Sequence, residues 1–306
     1  MTVELPAVGS RVSLRYRLPA GSAKPLTDVV GYLDRGAPDI VVRTKSGELI
    51  EVAAADVVSV RELSHIPVRA SEIRAVEHAA AMAWPGIEQQ WRHGWFLRAG
   101  RGATSRANSA VPLDVSAHLA GLAEVADWYR DRGLPARLAL PERLLPVRTE
   151  GLGLSRVLVR DIDSGPQDAT RAASMRLLDA PDTAWLEVYQ RDVPVDVLTA
   201  VVDGELTFAV LDSCAVGRGA VTAAPDGTRW LGISSVRVRA DQRRRGHART
   251  ICAALLAWGA AHGAGRAYVQ VLVDNPEAVA LYTSMGFRLH HSHRYVDAQS
   301  LLSFTI

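Results

Sequence analysis

One stretch constrains this chain more than any other: Ile233-Ser-Ser-Val-Arg-Val-Arg-Ala-Asp-Gln-Arg-Arg-Arg-Gly-His-Ala-Arg-Thr-Ile-Cys-Ala-Ala-Leu-Leu-Ala-Trp258. Its periodicity changes partway. Val236 and Val238 alternate with Arg237 and Arg239, the period-2 pattern of a half-buried strand. Beyond Ala248, residues Ile251, Ala254, Leu255 and Trp258 fall on one face of a helix. Between strand and helix lies Arg243-Arg244-Arg245-Gly246-His247-Ala248, with a glycine where the backbone must turn or approach a ligand closely. A helix N-terminus leaves amides unpaired and carries partial positive charge, and arginines add forked donors. Such a turn can hold a di- or polyphosphate by its main chain. Taken alone, it also reads as a solvated basic turn.

The residues that follow give it a context. Gly263 and Gly265 precede a second strand, Ala267-Tyr-Val-Gln-Val-Leu-Val273, and then Asp274-Asn-Pro-Glu-Ala-Val-Ala-Leu-Tyr282-Thr-Ser-Met-Gly286-Phe287. Asn275 suits an N-cap, Pro276 the first helical position and Gly286 the stop. The order is strand, basic Gly turn, helix, strand, Asn-Pro, short helix with a tyrosine, Gly-Phe, strand. In this order residues 233–295 resemble the acetyl-CoA-binding half of the GNAT N-acetyltransferase family. Ala240 stands where the family turn carries proline and Arg244 where it carries its middle glycine. The Arg-x-x-Gly-x-Ala core, Asn275, Pro276, Leu281, Tyr282, Gly286 and Phe287 match. The strand-like segments Leu206–Leu211 and Ser213–Val221 and the turn at Pro225-Asp-Gly227 lead into this block, extending the resemblance over roughly 180–306.

The resemblance implies acetyl-CoA as acyl donor and an amine of unknown identity as acceptor. Its pyrophosphate is expected on the main chain of Arg244, Arg245, Gly246, His247, Ala248 and Arg249, with Arg243 and Arg244 adding contacts. Its pantetheine arm is expected along Val236, Arg237 and Val238, near Asn275. Tyr282 is expected to protonate the departing thiolate, since a phenol stays protonated at neutral pH. The base is left open among Glu187, Glu205 and His247, because Ile233-Ser-Ser-Val carries no carboxylate. A non-catalytic acyl-CoA sensor is the alternative.

The 306 residues suffice for two or three domains, and 48% hydrophobic with 22% charged residues describe an ordinary globular composition. A net charge of +2 creates no global field demanding nucleic acid or membrane. Cys214 and Cys252 read as reduced, buried thiols. Metal-ligand spacing is absent, so no metal is expected. No long apolar run or leader pattern stands out, and a cytoplasmic monomer is the expectation.

Residues 1–64 read as about five short strands, a small unit that resembles an SH3-like β-barrel on pattern and is taken as a docking module rather than a nucleic-acid reader. In residues 66–165 the spacing predicts helices over Ser71–Trp84 and about Leu119–Asp131 and a strand over Ala136–Leu140. The helix-Gly-strand order echoes the later half and suggests a degenerate GNAT-like α/β unit without a phosphate turn. The breaker-rich stretch 160–168 is read as a boundary, leaving 166–306 as the transferase domain. The expected fold class is thus α/β (α+β): a barrel, a degenerate unit, and a GNAT fold with a mixed central sheet flanked by helices.

Overall fold

The computed structural model describes residues 5–19, 21–64, 66–147, 149, 151–162 and 175–302. The chain forms two compact units, Met1–Val68 and Arg69–Ile306. The first holds β1 (Arg11–Arg17), β2 (Leu26–Arg35), β3 (Asp39–Thr44), β4 (Leu49–Ala53) and β5 (Val57–Glu62) in one antiparallel sheet of order β4-β3-β2-β1-β5. Val12, Leu14, Leu33, Ile40 and Val42 fill its core. The five strands match the expectation. Among the described residues the ladder leaves β4 and β5 as edges, so pairing does not close the barrel foreseen from the strand count.

The second unit begins with α1 (Ala70–Ala83), β6 (Glu88–Arg92), β7 (Trp95–Ala99), β8 (Val111–Pro112), α2 (Leu122–Arg130), β9 (Arg137–Pro141) and β10 (Leu152–Asp161). It continues with β11 (Met175–Leu178), α3 (Thr183–Tyr189), α4 (Val195–Thr199), β12 (Glu205–Leu211), β13 (Ala215–Ala223), β14 (Arg229–Val238) and α5 (His247–Ala261). Then come β15 (Arg266–Leu272), α6 (Pro276–Ser284), β16 (Arg288–Asp297) and α7 (Ala298–Leu302). An eight-stranded mixed sheet runs β11-β12-β13-β14-β15-β10-β16-β9, and β6, β7 and β8 form a small sheet of their own.

Side chains alternate across this pleat and so commit each strand to two cores. Ala209, Leu211, Leu231, Ile233, Ala267 and Val269 face α5 through Ile251, Cys252 and Leu255. Gly217 lets α5 seat there, because a Cβ would stand 2.6 Å from the Ile251 side chain. On the opposite face Phe208, Val210 and Val216 meet Trp185 of α3 and Leu198 of α4, while Trp230 and Tyr268 meet Val76, Ala79 and Ala80 of α1. Buried Arg218 ties the layers by donating to the carbonyls of Leu198, Ala83 and Ala200 at 2.7, 2.9 and 3.0 Å.

The separate unit expected over 66–165 is corrected here. Strands β9 and β10 lie on its side of the expected boundary, yet β10 pairs with β15 and β16, and β9 pairs with β16. A helix, a glycine and a strand in series report local order, not the strand's partner. Arg160 to Ile162 of the expected boundary finish β10 and its exit, and Asp163 to Asp168 lie outside the described residues.

Candidate functional site

The site begins where two strands part. Parallel β14 and β15 pair only through Trp230, Leu231 and Gly232 with Arg266, Ala267 and Tyr268. Past Gly232, β14 stays with β13 while β15 stays with β10. The edge of β14 from Ile233 onward therefore keeps backbone groups without a strand partner on that side. A bulge sits in the same place: the β13–β14 register shifts between Val216 and Arg218, and Ser235 is held at φ 55°. A non-glycine residue in this left-handed region costs about 1 kcal/mol or more and is kept only where the surroundings impose it. Ser235 Oγ lies 3.4 Å from the Tyr189 hydroxyl.

The basic turn closes one end of the gap. Arg239 to Asp241 is a 3.3 Å ion pair at its entry, Arg244 is left-handed at φ 64°, and Gly246 precedes α5 at φ 84°. Thr250 is the first helix residue bonded back to Gly246, and no side chain caps α5. The amides of His247, Ala248 and Arg249 thus have no intrahelical acceptor. At the other wall Asn275 Oδ1 accepts from Ala278 N at 3.1 Å and caps α6, whose first helical residue is Pro276, as expected.

Two clefts result. The first, about 440 Å3, is lined by Val236, Arg237 and Val238 of β14, by the turn and α5 mouth, and by Asn275, Ala278, Leu281 and Tyr282. It brings together every residue expected at the donor except Arg245, which is exposed and off the wall, and it adds Gln242, Glu277, Ala278 and Leu281. The second, about 560 Å3, opens on the far side of the gap, with Ser234, Ser235, Gln270, Arg106, Arg137, Tyr189, His293 and Tyr295 among its walls. Val236, Arg237, Asn275, Ala278 and Tyr282 line both. The clefts therefore meet at Tyr282.

The Tyr282 ring is buried and packs edge-on against Phe287 at 5.6 Å. The Cys252 thiol of α5 is the polar neighbour of its hydroxyl. Burial first, then the neighbouring thiol, raise the phenol well above its usual value, so the proton stays on oxygen. The same burial pushes the Cys252 thiol up to about 12.

None of Glu187, Glu205 and His247 lines the second cleft. Glu187 is exposed, Glu205 is engaged by Arg229 at 2.6 Å, and His247 stands at the α5 mouth in the first cleft. The titratable side chain that sequence reasoning missed is His293, 4% exposed and on the second cleft's wall. Its Nδ1 lies 3.2 Å from Glu77 Oε1 of α1, and His291 Nε2 lies 2.8 Å from the same oxygen. A bulge at His290 in the β10–β16 ladder turns His290 Nδ1 to within 2.8 Å of His291 Nδ1. With Nδ1–H donating to the carboxylate, the other ring nitrogen is an acceptor in neutral His293, while the protonated ring places a positive charge beside Glu77. A signal existed: Glu77 falls on the apolar face of α1 with Ile73, Val76 and Ala80, where an acid needs a buried partner.

Burial alone would raise the Glu77 carboxyl, but the charge of His293 and the hydrogen bonds from His291 and His293 outweigh it and hold the group well below the carboxylate range. The folded state thus binds this proton less readily than the unfolded chain. The stabilisation is complete above the ordinary value of 4.5 and is lost as pH falls below it. Between about pH 5 and pH 3 the melting temperature of wild type is expected to fall further than that of Glu77→Gln; equal slopes would contradict the ionised assignment.

Among the described residues no group of His, Cys, Asp and Glu could hold a metal ion, and no helix is long and apolar enough to cross a membrane.

A splayed parallel pair, an uncapped helix mouth behind a basic glycine turn, and a capped tyrosine helix across the gap form the arrangement that the resemblance to GNAT N-acetyltransferases implies. The fold agrees with a GCN5-related N-acetyltransferase from Kribbella flavida, TM-score 0.50 at 15% identity, covering 76% of this chain and 96% of that one. Residues 70–296 match the family model described as probable histone acetyltransferase Rv0428c C-terminal, and the chain belongs to that family. Residues 6–61 match the Rv0428c N-terminal Sm-like domain, so the comparison gives Sm-like, not SH3-like, as the description of the first unit. The chain is 50% identical over 302 residues, 98% of each, to a protein named probable histone acetyltransferase Rv0428c from Mycobacterium tuberculosis (strain H37Rv). It is 25% identical over 253 residues, 73% of this chain and 98% of the other, to the uncharacterized N-acetyltransferase YobR of Bacillus subtilis.

Proposed function

We propose that the 440 Å3 cleft binds acetyl-CoA and that the 560 Å3 cleft presents an amine to it, so that acetyl passes directly from sulfur to nitrogen. The observation that carries this reading is the set of wall residues common to both clefts, with Tyr282 among them. The free amides of the α5 mouth, with Arg243, Arg244 and Arg249 around them, suit a pyrophosphate. The unpartnered edge of β14 offers strand-like hydrogen bonds to the amides of a pantetheine arm. Acetyl-CoA supplies the acyl group as an activated thioester. His293 takes the proton of the attacking nitrogen, with Glu77 orienting the ring, and Tyr282 gives its proton to the departing sulfur. A C–N bond forms as the C–S bond breaks, and the two protons end on the imidazole and the thiol.

Gly246 offers a direct test of the donor site. At φ 84° it accepts no β-branched side chain without strain. Gly246→Val is expected to weaken acetyl-CoA binding by about 10- to 100-fold, the equivalent of the 1–3 kcal/mol such a backbone costs. Titration calorimetry measures it. Unaltered affinity, or no binding to wild type, would remove acetyl-CoA from this cleft. Binding of acetyl-CoA without thiol release against any amine would instead mark a sensor.

A further inference from the structure

The second cleft has an unbalanced wall. Among the described residues its charged side chains are Arg106, Arg137, Arg191 and Arg237, with no Asp or Glu. Elsewhere arginines find carboxylates, as Arg43 does with Asp34 at 2.7 Å and Arg101 with Asp196 at 2.6 Å. Among the described residues none of the four is in an ion pair. Arg137 bonds to Ser105 Oγ at 2.9 Å and Arg237 reaches Gln190 Oε1 at 3.5 Å, both neutral groups. Arg106 stacks over Trp84 with its centre 5.6 Å from the ring, and its buried Nε has no hydrogen-bond partner.

More positive charge lies behind the wall. Arg218 is 1% exposed, and among the described residues it is answered by three carbonyls and the face of Trp84 at 4.5 Å. Burial lowers its guanidinium to about 9, which leaves it protonated at neutral pH. Buried Arg98 is likewise held by Ser109 and by the Trp84 carbonyl. The nearby carboxylate, Glu77, is occupied by two histidines. Like charges held together with no ion-paired carboxylate of their own among the described residues focus a positive field into a concave site and raise the local concentration of anions. The same field repels a lysine-rich peptide, whose recognition calls for acidic walls. A cleft of this volume also fits a small molecule.

Resting on the acetyltransferase reading above, we propose that the acceptor is a small amine bearing its own anionic group, a carboxylate or a phosphate, seated on Arg106, Arg137 and Arg191 with its nitrogen toward His293 and Tyr282. Guanidinium forks suit both anions.

The test uses the full chain with acetyl-CoA and reads thiol release for matched acceptors: an ω-amino carboxylate against its amide, an aminoalkyl phosphate against its alcohol, and a lysine-rich histone-tail peptide. Each anionic amine is expected to exceed its neutral partner in kcat/KM by on the order of 10- to 100-fold, the scale of one charge-assisted contact. The carboxylate and phosphate pairs tell which anion the seat takes. In Arg191→Gln, and separately in Arg106→Met, the anionic-to-neutral ratio is expected to fall toward one; a ratio within one variant does not depend on how much of it folds. Equal rates within each pair, or a histone peptide ahead of every anionic amine, would overturn the proposal. Thermal-shift titration with the anionic amines alone reads the seat without turnover, and no stabilisation there would also overturn it. Failure of acetyl-CoA to bind, with the anionic amines still stabilising the chain, would defeat the transferase reading and leave the anion seat standing.

Discussion

Tyr282→Phe is expected to lower kcat by about 10²- to 10⁴-fold, the usual worth of a positioned acid, with acetyl-CoA affinity unchanged. The substitution removes one oxygen. The ring keeps its edge contact with Phe287 and its place in the core around Ile251 and Leu255. What disappears is a proton held in place by burial, at the position shared by both clefts. Its polar neighbour Cys252 is a neutral and buried thiol, so the hydroxyl breaks no ionic contact in serving a leaving sulfur. Rapid-quench turnover with calorimetric binding on the same preparation separates the two effects. Wild-type turnover in the Phe variant would exclude Tyr282 as the acid.

His293→Gln comes next, with kcat/KM expected to fall by about 10²- to 10⁴-fold. Glutamine keeps a hydrogen-bonding group near Glu77 and cannot carry a proton away. Three readouts distinguish a base from a strut. The acid limb of the kcat/KM–pH profile disappears in the variant, the loss shrinks for weakly basic amines that arrive unprotonated, and Glu77→Gln gives a smaller loss with the limb displaced. Glu77 is a positioning residue, since it reaches the cleft through the imidazole. A uniform loss over all amines with an unchanged profile would make His293 structural.

The two halves of the site differ in how far the sequence shows them. The donor half is local. Val236 to Arg249 and Asn275 to Tyr282 carry their own turn, cap and periodicity, so the residues expected at the cofactor fall on one cleft, Arg245 excepted. The acceptor half is assembled from afar: Glu77 and His291 meet across 214 positions, and Arg106 and Arg137 arrive on a loop and on β9. No window of sequence holds that juxtaposition. The same limit explains the expected boundary near 165, for nothing inside Leu152–Asp161 says that this strand slots between β15 and β16. By contrast α3 carries a local signal, since Asp182 Oδ1 accepts from Trp185 N at 2.8 Å and starts the helix.

Two clefts that meet at one tyrosine make a specific demand on kinetics: both substrates must be present before acetyl moves. Initial rates measured with acetyl-CoA and amine both varied are expected to give intersecting double-reciprocal lines, with no acetyl group on the protein when amine is omitted. Parallel lines, or an acetylated chain accumulating without amine, would contradict direct transfer at the junction.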